Sequence, residues 1–378
     1  MLQCGQERCS KVDLMALIRL TRTTCGQKLK DSKAKLRAQQ CSWVVISSLC
    51  VIARLVRRLL DRGPCPDWAV LRVEEVCVSL TYLFCLAVYT FAAALASMGL
   101  GREFWALNTE QISKITFFLY LTQIFHAVAI GLLRCSFLVF YWRVFTGKGC
   151  GGSERSRRWG PGGRWKFRQI LLWTIVDQSG VSIASLLAAI FQCWPIYKTW
   201  EGWRGGAAAG VCVQPTTLIL INASICIATG LWILCLPLSQ LRTLDLTREA
   251  VIGVGIMLCM GTIVSMLSIL RLAPTLRLKQ VFLVLGGPAA MVSWTTAELT
   301  AGIVCVCMPS IHVVGFRVLA ALLAHTPWRL PDRDFSSLAA SPFGAAAGLE
   351  ADKMLGAQRD PGVAKRWGMD GTQQLGRS

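Results

Sequence analysis

Three ionisable residues, Arg134, Asp177 and Glu298, each lie within a long apolar run. A charge in such a run is costly unless it is paired or faces a wet interior. Spacing sets its depth. Arg134 precedes Arg143 by nine residues and Asp177 follows Arg168 by nine, about 14 Å in each case at the rise of an α-helix. Glu298 precedes Pro309 by eleven, about 16 Å. All three therefore fall near the middle of a hydrocarbon core about 30 Å thick. One cation and two carboxylates at a common depth can satisfy one another, because guanidinium pairs with carboxylate through parallel hydrogen bonds. Two kinds of chemistry follow, a polar clasp that fixes helix packing or a ligand site or proton-linked switch at the same place. The alternative is independent residues that snorkel or face lipid. His126, two turns before Arg134, and Trp294, one turn before Glu298, are candidates to line a shared cavity.

Cys193 and Cys212 stand at the two ends of the loop after the fourth apolar run. In an oxidising exterior that arrangement suits a disulfide closing the loop, the alternative being two free thiols. Trp194, Trp200 and Trp203 in this loop fit an interfacial aromatic belt. Most of the 17 cysteines sit within apolar runs, where a thiol behaves as a small hydrophobe. Cys305 and Cys307, two apart, point to different faces of a helix and make a poor chelating pair. No metal site is expected. The glycine-rich stretch TGKGCGGSERSRRWGPGGRWKFR lacks the phosphate-loop pattern. It reads as a basic linker drawn to anionic lipid, or as a docking surface for a cytoplasmic signalling protein. No hydrolase triad, HExxH or dinucleotide fingerprint appears, so neither an enzyme nor a cofactor is expected.

The elements that must position these residues follow from composition. The 378 residues are 54% hydrophobic and 16% charged, with a mean hydropathy of +0.50. A soluble domain carries about 25% charged residues. The net charge of +19 would suggest nucleic acid in a soluble protein, but the basic residues cluster between apolar runs, so no nucleic-acid partner is expected. They are better explained as charge that sets topology and touches anionic membrane lipid. Seven apolar segments, at about 41–60, 74–97, 115–145, 168–193, 216–240, 249–271 and 281–309, are each about long enough to span. The expected fold is all-α, a polytopic bundle of seven transmembrane helices. Fourteen Lys and Arg residues flank the loops after segments 1, 3 and 5, against seven on the other side. By the positive-inside rule the N-terminus is outside and the C-terminus cytoplasmic. The nine Lys and Arg residues of the first forty positions oppose this; the short loops decide it. MLQCGQERCSKVD holds no apolar run, so no signal peptide is expected there. Residues 1–40 form a polar segment, 41–317 the membrane domain, and 318–378, rich in Ala, Gly, Pro and charge, a disordered cytoplasmic tail.

Several motifs occur in a set order. Gly99, Gly101 and Trp105 form G-x-G-x-x-x-W before the third segment. Ser136, Leu138, Phe140, Tyr141, Arg143 and Phe145 form S-x-L-x-F-Y-x-R-x-F at its end. F-x-C-x-P follows at Phe191, Cys193 and Pro195, then LCLPLSQL around Pro237 and S-I-L-R-L at Ser268 to Leu272. The last segment carries W-x-x-x-E and C-x-P at Trp294, Glu298, Cys307 and Pro309. Together these resemble the fungal rhodopsin-domain integral membrane proteins, receptor-like seven-helix proteins of which some carry an N-terminal CFEM domain. CSKVDLMALIRLTRTTCGQKLKD is similar to the end of a CFEM module, with only part of its cysteine set. The resemblance implies a surface sensor like a G-protein-coupled receptor, in the plasma membrane, with an extracellular ligand and a cytoplasmic signalling partner. The runner-up is a small transporter or an accessory membrane protein of a metabolic pathway. Family members usually have Lys where Arg134 stands, and often Asp where Gly230 stands. A retinal imine needs a lysine within the last helix; none occurs between Val281 and Pro309, and Lys279 lies outside that run. No retinal is expected.

Overall fold

The computed structural model describes residues 20–21, 24–25, 33–60, 68–101, 107–146, 161–202, 211–241, 248–271 and 287–324. Most of segment 1–40, Trp105, the basic loop from 147 to 160, Trp203, Lys279 and the chain beyond 324 lie outside the described residues. The long helices are α1 (Lys33–Leu60), α2 (Trp68–Met98), α3 (Thr109–Thr146), α4 (Pro161–Ile190), α5 (Pro215–Leu241), α6 (Arg248–Leu270) and α7 (Gly287–Ala324). Six of them are long and apolar enough to cross a membrane; in α6 the described apolar stretch is Gly261–Leu270. α7 runs through Ala324, past residue 318, where sequence alone starts the disordered tail. An apolar run, VVGFRVLAALLA, carries the helix on.

Consecutive helices pack side by side from α1 to α7, and α7 returns to α1. α3 and α7 also meet across the middle, and 61% of the apolar window of each is buried, against 17% for α4 and α5. Close approach there is permitted by glycine. A Cβ on Gly302 of α7 would collide with the side chain of Leu133 on α3, and one on Gly261 of α6 with Leu234 on α5. The largest core cluster joins α1, α2, α3 and α7 through Val51, Val78, Tyr89, Leu133, Leu299 and Ile303. Tyr89 Oη lies 2.7 Å from Thr300 Oγ1, and Gln40 donates to Thr296 Oγ1 at 3.3 Å. Such polar bonds tie helices together where lipid offers no hydrophobic preference for association.

The glycine motif after α2 has a mechanical basis. Gly99 and Gly101 hold φ of 116° and 98°, and Leu100 N–H donates to Leu95 O at 2.9 Å. This closes the helix as a Schellman turn, which needs a left-handed residue just past the end. Leu95 and Leu100 pack in one apolar cluster with Ile115 of α3. Between α4 and α5, strands β1 (Cys193–Trp194) and β2 (Val211–Cys212) pair antiparallel with Cys193 opposite Cys212.

Candidate functional site

Glu298 is the residue around which the polar centre is built. It lies at the midpoint of the apolar stretch Pro288–Met308 of α7 and is 1% exposed. Arg271, at the end of α6, reaches it with Nη1 2.9 Å from Oε2. Ser268, one turn earlier on α6, donates to Oε1. His126 of α3 brings Nε2 to 3.3 Å from Oε2, yet the same Nε2 stands 2.8 Å from Arg271 Nη1. Guanidinium can only donate. The shorter contact therefore makes Nε2 an acceptor and the imidazole neutral, and the approach to Glu298 is then a close contact rather than an ion pair. The result is one carboxylate and one guanidinium, both buried, linking α3, α6 and α7.

Arg134 does not join Glu298. It lies two turns along α3 from His126, and its guanidinium turns toward α5. There it donates to Thr229 Oγ1 and, at 2.5 Å, to the carbonyl of Cys226. Arg134 is 7% exposed and has no carboxylate within ion-pair distance among the described residues. It lines a cavity of about 50 Å³ between α3, α5, α6 and α7. Phe137, Ile233, Leu234 and Val264 supply its apolar wall, and Ser265 and Ser268 its hydroxyls. Ser268 thus touches both the cavity and Glu298. Gly230 lines the same cavity; a Cβ there would lie 3.9 Å from Arg134 Nη2.

Asp177 is a correction to the expected set. It matches the others in depth but is exposed on the outer face of α4, beside exposed Trp173 and Val176, while Thr174 and Gln178 face inward. Depth along a helix says nothing about the direction in which a side chain leaves it. Trp294 is half-buried one turn before Glu298, and neither it nor His126 lines the Arg134 cavity. Cys193 and Cys212 are disulfide-bonded across the β1–β2 ribbon. Within the span they close, Trp200 packs on Phe117 and Tyr120 of α3 with ring centres 5.2 and 5.9 Å apart.

Sequence reasoning missed Arg271 and Ser268 as partners of Glu298. Both stand in S-I-L-R-L, three residues apart and so on one helix face; that spacing was the available signal. It also missed a second buried cluster. Arg54 of α1, counted above among the loop charges, is 4% exposed. It contacts Glu74 at 2.5 Å and Glu75 at 3.1 Å on α2, and donates to Val306 O on α7 at 2.9 Å. Adjacent acidic residues at the start of an apolar run, with an Arg near the end of the preceding one, mark such a clasp.

The chain matches the fungal rhodopsin domain over residues 54–315. It is 22% identical over 274 residues to the "Fugralins biosynthesis cluster protein 2" of Gibberella zeae, covering 71% of this chain and 62% of that protein. It is 26% identical over 190 residues to a "SAT4 family membrane protein" of Emericella nidulans, covering 50% of this chain and 43% of that protein. The chain thus spans less than two thirds of the length of either relative. No solved structure matches.

Proposed function

The chain belongs to the fungal rhodopsin-domain family of multi-pass membrane proteins, and from that premise we propose that it is a surface sensor resembling a G-protein-coupled receptor. In this reading α6 counts as a seventh span and the protein sits in the plasma membrane. Its N-terminus is outside, and it acts by conformational change, with neither enzyme chemistry nor retinal. One observation carries the reading: the charged centre Glu298–Arg271, with His126 and Ser268, ties together three helices in the middle of the bundle. A buried network shared by three helices has discrete arrangements, and a ligand in the adjoining cavity can favour one of them. The Cys193–Cys212 disulfide and the packing of Trp200 on α3 support an ordered outer end to the bundle.

The test is complementation. A strain lacking the protein is complemented with the native chain or with Glu298→Gln, and cyclic AMP is followed as external nutrients and metabolites are changed. The native chain should restore a response that the variant does not. Identical traces in the deleted and restored strains would dismiss the sensor reading.

A second reading has its own support in the relative named for a biosynthesis cluster. On that reading the chain is a small transporter or an accessory membrane protein of a metabolic pathway. Flux of a labelled metabolite in reconstituted vesicles, with no signalling phenotype, would favour it.

A further inference from the structure

Arg134 is a permanent cation inside the bundle, and among the described residues its acceptors are neutral. A guanidinium offers five N–H donors, and the described residues take two of them, through Thr229 Oγ1 and Cys226 O. An uncompensated buried charge is among the costlier arrangements a membrane protein can hold. The neighbouring carboxylate does not relieve it, because Glu298 is already engaged by Arg271 and Ser268. Gly230 presents no side chain to the cavity, and a Cβ there would lie 3.9 Å from Nη2.

We propose that this cavity is a binding site for a small organic monocarboxylate, its carboxylate on Arg134 and its apolar body along Phe137, Ile233 and Leu234. The charge and the size select the class. One cation matches one negative charge, whereas a phosphate dianion would bring a second charge into an apolar pocket with nothing to balance it. Guanidinium also presents the planar fork that carboxylate fits. The space of about 50 Å³ is about a third of the roughly 150 Å³ that takes a benzene ring, so it suits an acid of two or three carbons rather than a ring or a lipid chain. A bound acid would touch α3, α5 and α6 at once. It would also lie against Ser268, whose hydroxyl is bonded to Glu298. The proposal rests on the sensor reading in naming its ligand class, but is tested without it.

The experiment uses the full chain in lipid nanodiscs, with radiolabelled acetate and propionate as probes. Saturable binding is expected, displaced by the unlabelled acids and not by inorganic phosphate or propylamine. Arg134→Gln, which removes the charge and keeps a polar side chain, should weaken binding about tenfold or more, the loss of one charge pair. Gly230→Asp should do the same by placing a carboxylate beside Nη2, with the unfolding temperature unchanged or raised. No saturable binding of either acid to the native chain overturns the proposal. So does equal affinity in Gly230→Asp, or displacement of propionate by phosphate. Acid binding without any cyclic AMP response leaves the site standing and removes the sensor; a response without acid binding does the reverse.

Discussion

Arg271→Met would leave the Glu298 carboxylate buried with no cation. The expected cost follows from the burial of both groups: each is about 5% exposed or less, and deleting one partner of a buried pair costs about 3–5 kcal/mol. Ser268 would still donate to Oε1, which holds the effect toward the lower end. His126, with Nε2 3.3 Å from the carboxylate, would be the remaining nearby group able to carry positive charge, so Arg271→Met with His126→Phe should cost more than the sum of the two. Glu298→Leu should cost a similar amount by taking the carboxylate from the buried Arg271 guanidinium. Combining Arg271→Met with Glu298→Leu removes both charges in side chains of similar volume, a replacement that is often neutral or stabilising. The cycle should therefore return a coupling of about 3 kcal/mol or more. Neutral hydrogen bonds between membrane helices average about 0.6 kcal/mol, so the two cases are separable. The assay is reversible unfolding of the full chain in bicelles. A coupling below about 1 kcal/mol would refute a direct buried ion pair and return Arg271 to the role of a boundary charge.

Three further outcomes are expected. Cys193→Ser, or reduction, should lower stability by about 3 kcal/mol for a loop of this length, read by unfolding with and without reductant; labelling of both thiols before reduction would refute the bond. Gly302→Val should cost about 1–3 kcal/mol through overpacking against Leu133, seen as a lower unfolding temperature; no change would mean that α3 and α7 are not held at this separation. Asp177→Leu should improve insertion of α4, by up to about 3 kcal/mol if the residue faces lipid. Glycosylation mapping in microsomes measures this, and impaired insertion or folding would place a partner on Asp177.

Much was legible before any coordinates. Hydropathy and length were enough for the membrane class and the helix positions, because an apolar run of span length has few other destinations. The spacing of Cys193 and Cys212 marked the loop they close, and Glu298 was recognisable as an interior charge from its distance to Pro309. What tertiary structure alone decided was direction. In a soluble helix an apolar stripe tells which face is buried. These helices are apolar nearly all round, and a lipid tail is as acceptable to leucine as a protein core is. Residue counting therefore yields depth at 1.5 Å per residue but no azimuth. Asp177 turned outward, and Arg134 turned to α5 and a cavity. The place beside Glu298 went to Arg271, which enters from the end of α6 on a long side chain; its three-residue spacing from Ser268 marks a shared face but not the helix that face meets.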